Sequence, residues 1–507
     1  MSKSWNYKLF IDGKWVDGEK GVRIDVIDPA TEEVIGSVAE ASPKDTIAAI
    51  TAARNAFDNG PWPWMKPSER AAALVRMAEY LEARSADLRE LIVAETGSVG
   101  PITDFIQAGG SIGLLRSNAK LIESKVQWLE MGAPTGGAVS VGGNAVIREP
   151  IGVVAGITPF NFPFMLNLMK AAPAMAAGCT VVLKPHPWTP LDAFMIAEAA
   201  EAAGIPPGVL NVIVGGGEVG DILTSNPMVD MVTFTGSTAT GKRILNSAAD
   251  TVKRVQLELG GKSAQIVLDD AGEDHARSIG FGAVLNHCGQ GCVLTTRLLL
   301  PEHLLPAYKE GVMNAAKQIK IGDTRDPSTT LGPLIREQQR ARVESYIASG
   351  HEQGAELVIG GQRPAHMNKG FFFEPTVFIG RNDMKIAQEE IFGPVLTVIP
   401  YSGKDDDAVR IANDSIYGLG GAVQAATTGR AFNVARRIRA GSMTAVGVKA
   451  GQANPGPGAG QGPGWGSTPT GTGQSGAFGG YKQSGLGREW GSMGIEEFTE
   501  VKSLAWQ

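Results

Sequence analysis

The fold that this sequence predicts is α/β, with parallel sheets carrying helices on both faces, and three observations predict it. From Ile151 onward, short apolar β-prone runs alternate with helical patterns, which is the text of βαβ units. The polar residues and glycines of that region collect where the runs end, at Thr158-Pro159-Phe160-Asn161, Lys184-Pro185, Gly215-Gly216-Gly217 and Thr235-Gly236-Ser237. Sheets of this kind hold ligands at the carboxyl ends of their strands. The chain has 507 residues, 43% hydrophobic and 19% charged, enough for two or three domains with full cores.

The elements follow in order. Asp12-Gly13 and Asp17-Gly18 punctuate runs such as Lys8-Leu9-Phe10-Ile11 and predict an opening hairpin. Ser42-Pro43-Lys44-Asp45 reads as a helix start, with Ser42 as N-cap and proline in the first turn, and apolar residues then recur at helical spacing through Ala56. Two more helices are expected over about 68–84 and 86–95. Between Lys125 and Glu149 the sequence turns β-prone and glycine-rich, as an exposed hairpin that pairs with something else. The βαβ region then gives strands at Val153–Ile157, Thr180–Leu183, Val209–Val214 and Met231–Phe234, separated by helices. A second strand and helix region spans Gly261 to about Gly441. Gly447 to Ala477, with eleven glycines, four prolines and the single charge Lys449, reads as a long loop, and an extended tail, Ile495–Leu504, closes the chain.

Composition narrows the function. A formal charge of -6 with no basic run gives no face for a phosphate backbone, so nucleic acid is not expected as a partner. The first residues lack an apolar signal-peptide core, and apolar stretches near Val181 and Ala197 are broken before the ~18 residues of a membrane span, so a cytoplasmic protein without a membrane partner is expected. Three cysteines, Cys179, Cys288 and Cys292, make no disulfide framework, and Cys-x3-Cys beside His287 is poor zinc spacing, so no metal is expected.

Two stretches carry chemistry. In Gly289-Gln290-Gly291-Cys292 the glycines leave a thiol uncovered and let backbone approach a substrate, which marks Cys292 as a nucleophile rather than a packing cysteine. Glu258 ends a β-prone run between apolar neighbours and two glycines, a setting that raises a carboxyl pKa toward the range of a general base. Gly236-Ser237-Thr238-Ala239-Thr240-Gly241-Lys242 invites a Walker reading, but Arg243 stands where Ser or Thr must bind Mg²⁺; what remains is a helix N-terminus fit for phosphate. No Gly-x-Gly-x-x-Gly is read after any strand, so the usual Rossmann fingerprint is expected to be missing.

Seven motifs stand in one order along the whole chain: Thr158-Pro159-Phe160-Asn161-Phe162-Pro163, Val182-Leu183-Lys184-Pro185, Phe234-Thr235-Gly236-Ser237 with Gly241, Leu257-Glu258-Leu259-Gly260-Gly261-Lys262, Gly289-Gln290-Gly291-Cys292, Glu389-Glu390-Ile391-Phe392-Gly393-Pro394 and Phe478-Gly479-Gly480-Tyr481-Lys482. In that order and nearly that spacing the sequence resembles the NAD(P)-dependent aldehyde dehydrogenase superfamily. The resemblance implies an aldehyde dehydrogenase-like fold, with a Rossmann-type cofactor domain over 1–127 and 150–258, an α/β catalytic domain over 259–484, and a small β oligomerisation element from 128–149 and 485–507.

It further implies that Cys292 attacks an aldehyde to give a thiohemiacetal and then a thioester, with Asn161 and the Cys292 amide holding the oxyanion and Glu258 activating the hydrolytic water. Lys170 and Glu489 match a pair implicated in proton release. NAD, with NADP as an option, is the implied cofactor. Lys184 and Glu390 would take its riboses and Gly236 and Ser237 its pyrophosphate, while Thr158, Pro159, Pro187, Gly241, Leu259, Gly260, Arg342 and Phe392 complete the cofactor set. The aldehyde would meet Phe162, Met165, Met169, Asn286, Val293 and Trp465. A homodimer or homotetramer is implied, with the 125–149 hairpin and the tail lacking partners within their own domain.

Two departures stand out. Pro187 replaces a glutamate that many NAD-preferring relatives place there to repel a 2′-phosphate, and the Gly447–Ala477 segment is longer than usual and lacks a Val-Asn signature near Val446-Gly447. That segment is expected to be a lid over the substrate mouth, with Trp465 closing it. The alternative activity is a CoA-acylating semialdehyde dehydrogenase, and Glu258 argues against it, because such relatives commonly lack that base.

Overall fold

The computed structural model describes residues 4–133, 135–137, 140–448 and 477–506. Its largest sheet has eight strands, in the spatial order Gly485–Leu486, Arg254–Glu258, Met231–Thr235, Val153–Ile157, Thr180–Lys184, Leu210–Val212, Leu9–Ile11 and Lys14–Val16. The middle five are mutually parallel and the outer pairings antiparallel. Val153–Ile157, Thr180–Lys184 and Met231–Thr235 are buried at every position, which is why they read as unbroken β-branched runs rather than alternating ones. Their side chains divide between two cores: Val154, Val181 and Leu183 enter one, and Val153, Ala155 and Val182 the other. The chain leaves Val153–Ile157 toward Thr180–Lys184 on one side and returns to Met231–Thr235 on the other. That reversal opens a crevice beyond the carboxyl ends of the two adjacent strands, the switch point of such sheets.

The helices begin where the sequence signals them. Ser42 caps Pro43–Asn59, its Oγ accepting from Asp45 N–H at 3.1 Å while the Asp45 carboxylate accepts from Ser42 N–H at 2.9 Å. Pro67–Ala83 and Ser85–Thr96 follow. Pro163–Ala177 is buried throughout; its alanines let it pack closely on Thr180–Lys184, Pro67–Ala83 and Ser111–Ser124.

A second sheet of seven strands runs Glu356–Ile359, Thr376–Ile379, Val395–Tyr401, Arg297–Pro301, Ala264–Val267, Gly420–Ala425 and Ser442–Gly447, parallel except at the Glu356–Ile359 edge. Leu298 and Leu300 face one of its cores and Leu299 the other. The β-prone run after Cys292 enters this sheet only at Arg297, because Val293 to Thr296 are spent leaving the turn that carries the cysteine. A third sheet of three strands, Trp5–Tyr7, Arg23–Ile27 and Val34–Ala39, lies near the N-terminus.

One expectation is corrected. The 125–149 hairpin and the tail do not lack partners within the chain: Thr499–Trp506 pairs antiparallel with Ser140–Pro150, from Thr499 opposite Pro150 to Trp506 opposite Gly143, and Leu129–Met131 pairs on the other side. Gly143 is needed there, since a Cβ on it would lie 2.3 Å from the Trp506 ring. The tail strand also starts later than expected, Ile495 belonging to the short helix Gly491–Glu496. The sheet still offers exposed apolar side chains, among them Leu129, Met131, Val501 and Trp506.

Candidate active site

A cavity of about 920 Å³ opens at the carboxyl edge of the eight-stranded sheet. Four of the central strands deliver lining residues at or just beyond their carboxyl ends: Thr158 and Pro159, Lys184 and Pro187, Gly236 and Ser237, Leu259 and Gly260. The seven-stranded half supplies Arg342, Glu390, Phe392 and Cys292. Of the expected cofactor residues only Gly241 stays behind the wall, where a Cβ would come within 2.7 Å of Leu259 and drive that side chain into the cavity.

The floor suits a dinucleotide. Ser237 Oγ caps the helix Thr238–Ala248, accepting from Thr240 N–H at 3.2 Å, so the remaining amides of the first turn and the helix dipole face the cavity. Side chains added at Gly216, Gly217 or Gly220 would meet nothing within 4 Å, leaving backbone open to a ligand. The Lys184 ammonium makes no hydrogen bond or ion pair to the described residues, and burial pushes it down to about 8. Glu390 Oε1 accepts from Gly261 N–H at 2.9 Å, Arg342 donates to the Glu390 carbonyl at 2.6 Å, and burial lifts the Glu390 carboxyl to about 7.

At the inner end of this cavity sit Asn161 and the partly buried Cys292. The turn before the thiol is tightly determined. His287, Cys288 and Gly289 all have left-handed backbone, at φ of 46°, 53° and 71°, which costs the two non-glycine residues on the order of 1 kcal/mol or more each. Gly289 tolerates no side chain, a Cβ there falling 2.0 Å from the Gly393 carbonyl oxygen. Gln290 pins the turn, its Oε1 accepting from Ile335 N–H at 3.0 Å and its Nε2 donating to the His287 carbonyl at 3.1 Å. Asn161 Nδ2 donates to the Gln290 carbonyl at 2.9 Å, using one of its two hydrogens. Burial pushes the Cys292 thiol far up, and the carboxylates of Glu258, Glu390 and Glu489 push it the same way.

Glu258, the last residue of its strand, is buried, and Oε2 has no hydrogen-bond partner among the described residues. Burial, then Glu489, raise its pKa well above the carboxylate range, against the pull of Lys170, Arg488 and the Gly480 N–H. Lys170 and Glu489 form an ion pair sealed from solvent.

Four of the expected substrate residues lie beside Cys292 rather than in this cavity's lining. Phe162, Met165, Met169 and Val293 belong to the apolar core against which Cys292 packs, but neither they nor Asn286 line the cavity. Asn286 sits at a kink inside Gly282–Gly289. Trp465, with most of the expected lid, lies outside the described residues. A neighbour that the sequence reading passed over is Trp490, directly after Glu489, its ring 4.9 Å from that of Phe478 and its indole N–H buried without a partner among the described residues.

On the cofactor side, His186 and Trp188 were not singled out, and the expectation that no strand is followed by a glycine fingerprint is overturned. Gly215-Gly216-Gly217-Glu218-Val219-Gly220 does spell Gly-x-Gly-x-x-Gly between a strand and the helix Gly217–Ser225, and four of its glycines line the cavity. Phe160, His186, Trp188 and Phe392 form an aromatic wall, with centroids 4.8 to 5.6 Å apart between neighbours. Among the described residues no three His, Cys, Asp or Glu side chains gather as a metal site, and no helix is long and apolar enough to cross a membrane.

The fold and the cavity are those of a nucleotide-binding α/β protein: a parallel sheet whose carboxyl edge opens a glycine-lined cavity, with the Cys292 thiol in its lining and the buried carboxyl of Glu258 near that thiol. The aldehyde dehydrogenase family model matches residues 15–504. The betaine aldehyde dehydrogenase of Bacillus subtilis (strain 168) is 39% identical over 508 residues, covering 98% of this chain and 96% of that one. An aldehyde dehydrogenase of Mycobacterium tuberculosis in complex with NAD+ superposes with a TM-score of 0.89 at 42% identity, covering 99% of this chain and 98% of the other. A mutant aldehyde dehydrogenase C of Pseudomonas syringae in complex with NAD+ and octanal gives 0.88 at 38% identity, covering 98% and 96%. The chain belongs to the aldehyde dehydrogenase family.

Proposed function

We propose that this protein oxidises an aldehyde to the carboxylic acid with NAD, by way of a thioester on Cys292. The observation that carries the reading is the convergence of Cys292 and Asn161 at one end of a dinucleotide-sized cavity, with Glu258 buried beside them. NAD, when bound, accepts the hydride; the M. tuberculosis neighbour holding NAD+ supports that choice. The chain's own residues do the rest. Cys292 gives its proton to water in the cavity and Sγ adds to the carbonyl carbon, and the oxygen that gains charge is held by the free Asn161 Nδ2–H and the Cys292 backbone N–H. After hydride loss, Glu258 takes a proton from water, which attacks the thioester carbon and expels Cys292 as the thiolate, releasing the acid. The Lys170–Glu489 pair accepts that proton and passes it toward solvent. Lys184 and Glu390 hold the riboses, and the Ser237 turn holds the diphosphate.

The core against which Cys292 packs is apolar, through Phe162, Met165, Met169 and Val293, which favours an uncharged aldehyde over a carboxylated one. The exposed apolar face of the Thr499–Trp506 sheet supports a homodimer or homotetramer.

Burst kinetics test the reading. Cys292→Ala is expected to bind NADH and make none, and Glu258→Gln to give a burst of about one NADH per site followed by slow turnover. NADH formation by Cys292→Ala above a per cent or so of wild type would remove the thiol from the chemistry, and loss of the burst in Glu258→Gln would move that residue to the first step. Turnover that depends on CoA would favour the acylating alternative.

A further inference from the structure

Two parts of the cavity are claimed by the proposed chemistry. Hydride transfer places the nicotinamide at Cys292, and the helix start at Ser237 takes the diphosphate. What remains, between the end of Thr180–Lys184 and the open turn Gly215–Gly217, takes the adenosine half. Its polar side chains on the strand end are Lys184 and His186, since Pro187 offers neither charge nor hydrogen-bonding side chain.

The ring of His186 is oriented by its own loop. Trp188 N–H donates to His186 Nδ1 at 3.1 Å, so Nδ1 is an acceptor and the neutral ring carries its proton on Nε2. The Phe160 and Trp188 rings, 5.5 and 4.8 Å away by centroid, fix the plane from two sides. Nε2 has no hydrogen-bond partner among the described residues and is not sealed off, so it faces the cavity that His186 lines.

Resting on the dinucleotide-dependent reading of this cavity, we propose that His186 Nε2 and Lys184 Nζ together form the seat of the adenosine 2′ oxygen, and that a 2′-phosphate placed there is bound with uptake of a proton by His186. With a 2′-hydroxyl, the neutral ring donates Nε2–H to the oxygen and Lys184 supplies the positive charge. With a 2′-phosphate, the dianion brings negative charge against a ring that can hold a second proton. The free protein keeps that ring neutral: burial, Lys184 and Arg336 hold it down to about 3, and Arg336 in turn lies beside Glu95. Both charges acting on the ring are therefore positive. The sign follows. Lower pH favours the protonated ring, so binding of the 2′-phosphorylated ligand, relative to the plain one, strengthens as pH falls. The phosphate's own second protonation, with a pKa near ~6, works the opposite way. The two effects are separable by removing the ring.

The test is calorimetric binding of ADP-ribose and 2′-phospho-ADP-ribose to the full chain, in paired buffers of different ionisation enthalpy, so that no turnover is needed. Between about pH 8 and pH 6.5, the wild-type affinity ratio should move toward the phosphorylated ligand by about tenfold, the worth of one charge-assisted hydrogen bond, with net proton uptake. In His186→Gln the ratio should stay flat or move the other way, and the uptake should vanish or reverse into release. Because the readout is a ratio between two ligands, a general loss of affinity in the variant cancels. Equal pH dependence in wild type and variant would overturn the proposal, as would ADP-ribose binding with no measurable binding of its 2′-phosphate. Failure of ADP-ribose itself to bind would overturn the dinucleotide reading beneath it.

Discussion

Glu489→Gln should move the acid limb of steady-state turnover to lower pH, and the structure gives both sign and size. Glu258 must be deprotonated to act on water. Two things hold it protonated, burial first and then the charge of Glu489, while Lys170 pulls the other way. Because Lys170 and Glu489 are paired, their effects on Glu258 largely cancel in the wild type. The substitution removes the negative member and leaves the positive one uncompensated. A unit charge at about 6 Å, at an effective dielectric of about 20, acts with roughly 2.8 kcal/mol, or about two pH units. Allowing for relaxation and water entry, a shift of about one to two units is expected. The same change strands a buried ammonium, so a stability loss of about 3–5 kcal/mol should accompany it. Stopped-flow NADH formation across the pH range separates the steps: the burst, which reports attack and hydride transfer, should keep its amplitude, while the later linear rate carries the shifted limb. A limb that stays in place or moves upward would refute the argument and take Glu489 out of the electrostatics of Glu258.

Other substitutions probe separate parts. Pro187→Glu puts a carboxylate beside the Lys184 and His186 seat and should lower NADP use by about ten- to a hundredfold, with little change for NAD; equal loss with both would show that position 187 is not near the 2′ oxygen. Gly216→Val has extended backbone and an open space for its side chain, so the fold should keep its melting temperature while NADH affinity falls by about tenfold or more, and a variant that binds NADH normally would place the dinucleotide elsewhere. Truncation after Glu497 strips the Thr499–Trp506 ladder from Ser140–Pro150 and bares a long strand edge, so light scattering should find monomer or aggregate; an unchanged active oligomer would exclude that sheet from assembly. Alkylation of Cys292 by iodoacetamide should be slow in the free protein, where burial and three carboxylates keep the thiol protonated, and faster once NAD places a cationic ring nearby; equal rates would mean the resting thiol is already ionised.

What could be read from the sequence was whatever is local. Val153–Ile157 and Thr180–Lys184 announce themselves because strands buried on both faces must be apolar throughout, and Ser42 announces a helix because its first amides need an acceptor. Cys292 stood out because of the glycines before it, one of which, Gly289, serves the left-handed turn packed against Gly393. The errors lie where the deciding contact is distant. Thr499–Trp506 and Ser140–Pro150 meet across most of the chain, and nothing in either segment names the other. The run from Val293 has the composition of a strand, yet its first residues serve the left-handed turn at His287 to Gly289, and only the seven-stranded sheet decides that pairing begins at Arg297. His186 was invisible because neither its neighbours in sequence nor its residue type marks it; its meaning comes from an Nδ1 already occupied and an Nε2 turned to the cavity. Charge balance was the least legible property. Glu258, Glu390, Glu489, Lys170 and Lys184 are ordinary ionisable residues in the sequence, and only their shared burial makes one carboxyl a strong proton holder, keeps a thiol neutral, and gives a lysine reason to wait for an anion. In such a site the thiol of Cys292 and the carboxyl of Glu258 rest protonated, while the Lys170–Glu489 pair and Lys184 keep their charge.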